Sequence, residues 1–253
     1  MKYLVIIISF FFMTAGVTAQ LAEQERLMEQ ANQSYSSEDY TLAVSQFESV
    51  LGSGYESPGL YFNLGNTYFK LNNIPAAILY FEKAIKLDPT DENIRFNLDL
   101  ANSRIIDKME PLPEFFLKTW WKSARDLFSS DNWAKFGVGG FILALISMTM
   151  FIISRSVSTR KISFWTGVFF LVLMSVSLLF SLSSYREYSR QSSAIIFTPT
   201  VTVKSSPNDG SVDLFVIHEG TKVFISDLVE GWSEVRLANG NVGWVKTETF
   251  RHI

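Results

Sequence analysis

Few residues in this chain could do bond-making chemistry. Its 253 residues include two histidines, His218 and His252, and no cysteine. Two histidines so far apart, with no thiolate to join them, do not make a closed zinc site. The lack of cysteine also removes disulfides, thiolate nucleophiles and an acylated lipoprotein cysteine. There is no G-x-S-x-G elbow and no glycine loop of the phosphate-cradling kind. Gly137, Gly139 and Gly140 cluster inside an uncharged run, where small residues let helices approach. The acid pairs Glu38-Asp39 and Asp91-Glu92 stand at expected turns and helix starts, where carboxylates cap. The expectation is a non-enzyme with no cofactor and no metal. Its chemistry is then recognition by amide, lysine and aromatic side chains held on surfaces.

Four polar residues are candidates for such a surface: Asn63, Asn66, Lys70 and Asn97. They lie in Glu23–Asp107, where apolar positions recur at helical spacing and proline is nearly absent inside the segments. The stretch repeats itself. Stepping back 34 residues from Tyr61, Leu64, Gly65, Tyr68, Ala77, Phe81, Ala84 and Pro89 meets Leu27, Gln30, Ala31, Ser34, Ala43, Phe47, Val50 and Tyr55. The small residues suit close helix approach, the phenylalanines fill the space between pairs, and Pro89 stops the second helix. On these positions Pro58–Asp91 closely resembles a tetratricopeptide repeat, with Tyr61 in place of the common tryptophan. Glu23–Ser57 resembles a degenerate first copy. The resemblance implies an all-α solenoid over 20–109 whose first helices line a protein-binding groove, with the four polar candidates in it. Glu92–Met109 reads as a third first helix extended into a polar cap, as a solenoid end needs. Fifteen acids against seven bases over 20–117 suit a basic or neutral partner segment, or simply a solvated face.

Two uncharged runs, Phe136–Ile153 and Phe164–Leu182, are long enough at about 1.5 Å per residue to cross a hydrocarbon core of about 30 Å. The expected organisation is a transmembrane hairpin, with helices at 136–154 and 164–182 and a cytoplasmic loop at 155–163 that carries Arg155, Arg160 and Lys161. Before it, 110–135 mixes Phe115, Phe116, Trp120, Trp121, Leu127 and Phe128 with Lys118, Lys122 and Arg125. That mixture suits an amphipathic juxtamembrane segment at the lipid interface, ending with Trp133 at the lipid boundary. Residues 1–19 have the form of a secretory signal, with Lys2, an apolar Leu4–Met13 and small residues ending at Ala19. The hairpin then leaves both remaining regions on the periplasmic side of a bacterial inner membrane.

After a polar linker at 183–193 the pattern turns to period two with β-branched residues. Six short strands are expected, at 194–197, 200–204, 213–217, 222–227, 232–237 and 242–246, closing as a small all-β barrel because closure removes edges. Residues 194–253 resemble a bacterial SH3 domain at Val201, Val203, His218-Glu219-Gly220, Gly231-Trp232, Arg236, Gly240 and Gly243-Trp244. The resemblance implies binding of cell-wall peptide or short protein segments. Trp232 and Trp244 are core or ligand-facing residues of such a domain. Lys204 stands where these domains commonly carry arginine, which loses the planar fork that grips a carboxylate.

Signal, repeats, two spans and SH3 domain in this order resemble the BatE family of Bacteroides aerotolerance proteins. That resemblance implies a membrane-anchored accessory protein of a stress-related complex, beside envelope proteins with von Willebrand A or repeat domains. The expected function is a non-enzymatic scaffold whose groove and SH3 domain bind partner proteins. The alternative is a peptidoglycan-binding envelope sensor or anchor. A nucleic-acid partner is not expected, since neither region outside the spans is basic and the net charge is -3.

Overall fold

The computed structural model describes residues 23–110, 112–113, 115–189 and 193–253. The expected signal segment lies outside them. Helices α1 (23–36), α2 (Tyr40–Gly52), α3 (Pro58–Lys70) and α4 (Ile74–Leu87) form two helix–turn–helix pairs, followed by α5 (Glu92–Asn102). Their starts are set locally. Side chains of Asp39, Ser57, Asn73 and Asp91 accept hydrogen bonds from first-turn N–H groups, and Pro58 and Pro75 sit in first turns. The turn inside each pair passes through one left-handed residue, Glu38 at φ 64° and Asn72 at φ 59°. These are the same position of the two sequence copies, so the loosely matched first pair turns as the second does. Gly65 lets α3 and α4 close up: a Cβ there would lie 2.5 Å from the Phe81 ring.

Helix α4 is the centre of the molecule. Pro75 through Glu82 are all buried, a pattern of a helix enclosed on every side rather than one with a wet face. Tyr80 and Ala84 join Ala31, Phe47, Leu60 and Leu64 in the repeat core. Ala77, Ile78, Leu79 and Phe81 join a second cluster with Ala101, Ile195 and Ile253, the last two from the C-terminal sheet.

That sheet has strands β1 (Ser193–Ile196), β2 (Thr200–Lys204), β3 (Asp213–His218), β4 (Lys222–Val229), β5 (Trp232–Arg236), β6 (Val242–Lys246) and β7 (Phe250–His252). All pairs are antiparallel, in the order β3-β2-β6-β5-β4-β1-β7. The expected closed barrel is not formed. A seventh strand extends the sheet beyond β1, and no ladder joins β7 to β3 among the described residues. The physical reason lies in β1, which is buried throughout: Ala194 and Ile196 point into the sheet core and Ile195 onto α4. Apolar cover that closure would supply comes from a helix instead.

The polar cap expected to extend α5 to Met109 is also absent. Helix α5 ends at Asn102, and the chain then runs as a strap along the sheet. Met109 packs on the sheet core, and the Leu112 N–H donates to the Ala238 carbonyl at 3.1 Å. The sheet packs on α4 of the last pair, with Ala101 of α5 in the same cluster.

Helix α6 (Phe116–Arg125) has no buried residue. Helices α7 (Ser130–Ile153) and α8 (Val157–Ser189) pack as a hairpin. Their seam is small: Gly137, Gly140, Ala144 and Ser147 are the buried face of α7 beyond Trp133, and a Cβ on Gly140 would meet the Phe170 carbonyl at 3.3 Å. The helices are longer than the apolar runs. Helix α7 starts at the Ser129 cap, and α8 takes in most of the expected 155–163 loop and 183–193 linker, leaving Ser154–Ser156 outside helix. Polar residues alone do not end a helix when no breaker accompanies them. Trp133 is enclosed by protein near the start of α7. It is 8% exposed, lies among Phe128, Phe136 and Phe180, and donates from Nε1 to the Arg125 carbonyl at 2.8 Å. Both long helices are apolar enough to cross a membrane, and only 22% and 11% of their most apolar windows are buried.

Gly65→Ala drives a methyl group into the fully enclosed Phe81 ring. Overpacking of this kind costs about 1–3 kcal/mol. Thermal unfolding in detergent should show a lowered Tm, and an unchanged Tm would contradict the described approach of α3 and α4.

Candidate protein-interaction site

The first helices of successive pairs are joined by asparagine. Asn63 Nδ2 donates to Asn32 Oδ1 at 2.9 Å, and Asn97 Nδ2 donates to Asn66 Oδ1 at 2.8 Å. Each bond spans 31 residues and ties α1 to α3 or α3 to α5. A side-chain amide has four hydrogen-bonding sites, so such pairs leave groups over for a ligand while the rotamers stay fixed. Lys70 is exposed in the last turn of α3, where a cation suits the helix dipole. Phe96 and Leu100, one turn apart on α5 beside Asn97, are 68% and 41% exposed. Sequence reasoning missed Asn32 and Phe96. The recurring 31-residue asparagine spacing could have found the first, and nothing local distinguished the second from core.

Behind this row the repeat positions build the frame. Leu64, Ala77, Phe81 and Ala84 are buried. Tyr80 stacks between Tyr61 and Tyr68, at ring separations of 6.1 and 5.5 Å. The Tyr68 hydroxyl donates to Glu48 Oε1 at 2.5 Å. Burial, with that carboxylate second, pushes its ionisation upward, so the hydroxyl remains a neutral donor. Pro89 ends α4, and its carbonyl accepts from Arg95 Nη2 at 2.8 Å.

The sheet residues divide by strand parity. Val203, Ser233, Val235, Gly243 and Val245 point inward. Trp232, Arg236 and Trp244 therefore share the outward face with Lys204 and Lys246, so of the two places open to the tryptophans they do not take the core. Trp232 is paired with Lys246, Glu234 with Trp244, and Lys204 with Trp244. Lys246 Nζ lies 5.7 Å from the Trp232 ring centre, and Lys204 Nζ is 2.5 Å from Asp213 Oδ1. Gly243 is required by contact, since a Cβ would strike Val203 and the Lys204 carbonyl.

His218, Glu219 and Gly220 are not on that face. They form the junction with the strap. Asp107 Oδ2 accepts from the His218 N–H at 2.6 Å and the Thr221 hydroxyl at 2.7 Å, while Oδ1 lies 2.9 Å from His218 Nδ1. The Glu219 N–H donates to the Pro199 carbonyl at 3.3 Å. Gly220, at φ 85°, receives Ile105, whose methyl would lie 2.5 Å from a Cβ there. Burial alone would raise the Asp107 carboxyl, but the bonds from His218 and Thr221 outweigh it and hold it below the usual range. A second polar bridge joins the same two regions: Glu82, 9% exposed, accepts from Lys222 Nζ at 2.6 Å.

A tetratricopeptide repeat family model matches residues 59–91, which span α3, α4 and the Pro89 turn. This segment is a tetratricopeptide repeat, a non-catalytic protein-interaction motif. No curated protein matches the chain.

Asp107→Ala should loosen the strap and leave the His218 N–H without its acceptor, lowering stability by about 1–3 kcal/mol. Because the folded carboxyl is depressed below its ordinary 3.8, that advantage of the natural chain is full above this value. It should shrink as pH falls through the lower folded value. Unfolding curves of both forms across pH check this, and a gap that widens on acidification would contradict it.

Proposed function

We propose that the protein is a non-enzymatic, membrane-anchored scaffold that recruits a partner protein into the groove of α1, α3 and α5. One observation carries this reading. The second-helix side of the tetratricopeptide repeat is filled by the sheet through Ile78, Phe81, Ile195 and Ile253, whereas the first-helix side keeps its amides, Lys70 and Phe96 available. A repeat so covered has one side left for a ligand. Helices α7 and α8 are the anchor in the bacterial inner membrane. Their poorly buried apolar surface supports this, as does the cationic turn of Arg155, Arg160 and Lys161, which favours the cytoplasm and leaves repeat and sheet periplasmic. The order of parts resembles the BatE family, so the complex served is one of aerotolerance or stress. The partners would be envelope proteins with von Willebrand A or repeat domains, and tethering raises their local concentration.

The outward tryptophans favour a second reading. Trp232 and Trp244, with Arg236, Glu234 and the aspartate-paired Lys204 and Lys246 around them, make an aromatic face of mixed charge suited to a peptide stem of peptidoglycan. Under that reading the chain is an envelope sensor or anchor.

A photo-crosslinking residue at Lys70 of the full chain, used in native membranes, should capture a discrete envelope protein. Asn66→Ala with Asn97→Ala should reduce that capture about fivefold or more, since central contacts carry most interface energy. Capture indifferent to both changes would sink the groove reading. Cosedimentation of the full chain with purified wall material, lost on Trp244→Ala, would favour the second reading instead. Recovery of the chain from the soluble fraction without detergent would end the anchor.

A further inference from the structure

A cavity of about 410 Å³ opens along the seam of α7 and α8, in the half nearer the turn at Ser154–Ser156. Its floor is made of small residues. Ala144 is 6% exposed, and a Cβ on Gly167 would lie 3.4 Å from that of Ser147. Phe141, Phe151, Phe164 and Leu171 stand around this floor. From Phe141 to Phe151 the slot follows α7 for about 15 Å at the helical rise. In its other half the seam closes, where a Cβ on Gly140 would meet the Phe170 carbonyl at 3.3 Å.

The size and lining of the slot select its occupant. Ser163 is the one hydroxyl among the described lining residues, and a buried water needs two to four polar partners. A helix, about 10–12 Å across with its side chains, does not enter so small a space. Left empty, the slot would cost its aromatic walls their dispersion contacts on one side. A single aliphatic chain fits both the length and the lining. At the turn end a second hollow, of about 230 Å³, shares Phe151 and Phe164 with the slot and is lined also by Arg160, Lys161 and Trp165. The Arg160 guanidinium lies 5.0 Å from the Phe151 ring centre. These exposed cations do not make the site. With no aspartate or glutamate in 132–186, they set which way an anionic lipid lies in it, its phosphate toward the turn. We propose that the slot holds one acyl chain of an anionic phospholipid. The proposal rests on the membrane reading of α7 and α8.

The test is native mass spectrometry of the full chain in neutral detergent, after adding phosphatidylglycerol. One lipid should be retained per chain. Val168→Phe fills the slot from its wall and Gly167→Leu from its floor. Each should cut retention about tenfold, because the chain would then overpack the space, and Val168→Phe should do so without lowering Tm. Leu179→Phe, on an exposed part of α8 outside the slot, should leave retention unchanged. Retention that neither filling alters belongs to the general lipid coat and overturns the proposal. Phosphatidylcholine with the same chains should be retained less, and Arg160→Gln with Lys161→Gln should erase that difference. Equal retention of both lipids by the natural chain overturns the anionic headgroup. A dimer mass that Val168→Phe abolishes would put a second copy in the slot and overturn the lipid. A membrane-bound chain that retains no lipid overturns the slot alone, whereas a chain soluble without detergent overturns the membrane reading along with it.

Discussion

The contact between α4 and the sheet is apolar on both sides: Ala77, Ile78 and Phe81 meet Ile195 and Ile253. Burying one large aliphatic or aromatic side chain is worth about 1.5–3 kcal/mol, so several together dominate any polar term nearby. Helix α4 cannot present this face to water, because its other face already belongs to the repeat core. Sheet and repeat are therefore one packed unit, and the remaining architecture follows. The strap of 103–110 lies against the sheet, the groove lies on the opposite side, and Tyr188 brings the end of α8 to Lys86. Asp107 with His218 and Glu82 with Lys222 then add direction to a contact that apolar burial alone would leave free to slide.

Much of this was legible in the residues. Helix starts, the left-handed turn residues and the small positions recur in both copies of the repeat, so propensity and pattern agree there. Six strands were legible from alternation and turn residues. Parity also placed the tryptophans: once Val235 and Val245 point inward, Trp232 and Trp244 on odd steps cannot. Residue type alone left them core or ligand-facing, and strand position decides between the two. The run Ala76–Phe81 holds no polar residue and Ser193–Ile196 does not alternate. Both were signs of burial on two faces, and neither named its partner.

What escaped the sequence was long-range. Asp107 meets His218 across 111 positions, and nothing in the local pattern of either marks the other. The open sheet escaped for a related reason. Turn signals fix strands but not which edges will meet, and three residues of β7 following a tight turn at Thr247–Thr249 carry too little pattern to read. The ends of α8 were misjudged because serine and arginine look like linker when composition is weighed before the absence of a breaker. Membrane-length runs were plain, yet α7 begins six residues before its apolar run and α8 extends beyond its own at both ends.

The partners of α4 have a temporal side. Lys86 and Ile253 are separated by 167 positions. At about 5–20 residues per second of synthesis, roughly 10–30 s pass between the emergence of the helix and that of the residues that shield it. During that interval both long apolar helices are also made. The nascent repeat therefore carries a bare greasy flank while the ribosome is still working. Its maturation must wait on the last strands, and a ribosome that stalls before them leaves behind a sticky fragment rather than a smaller working protein.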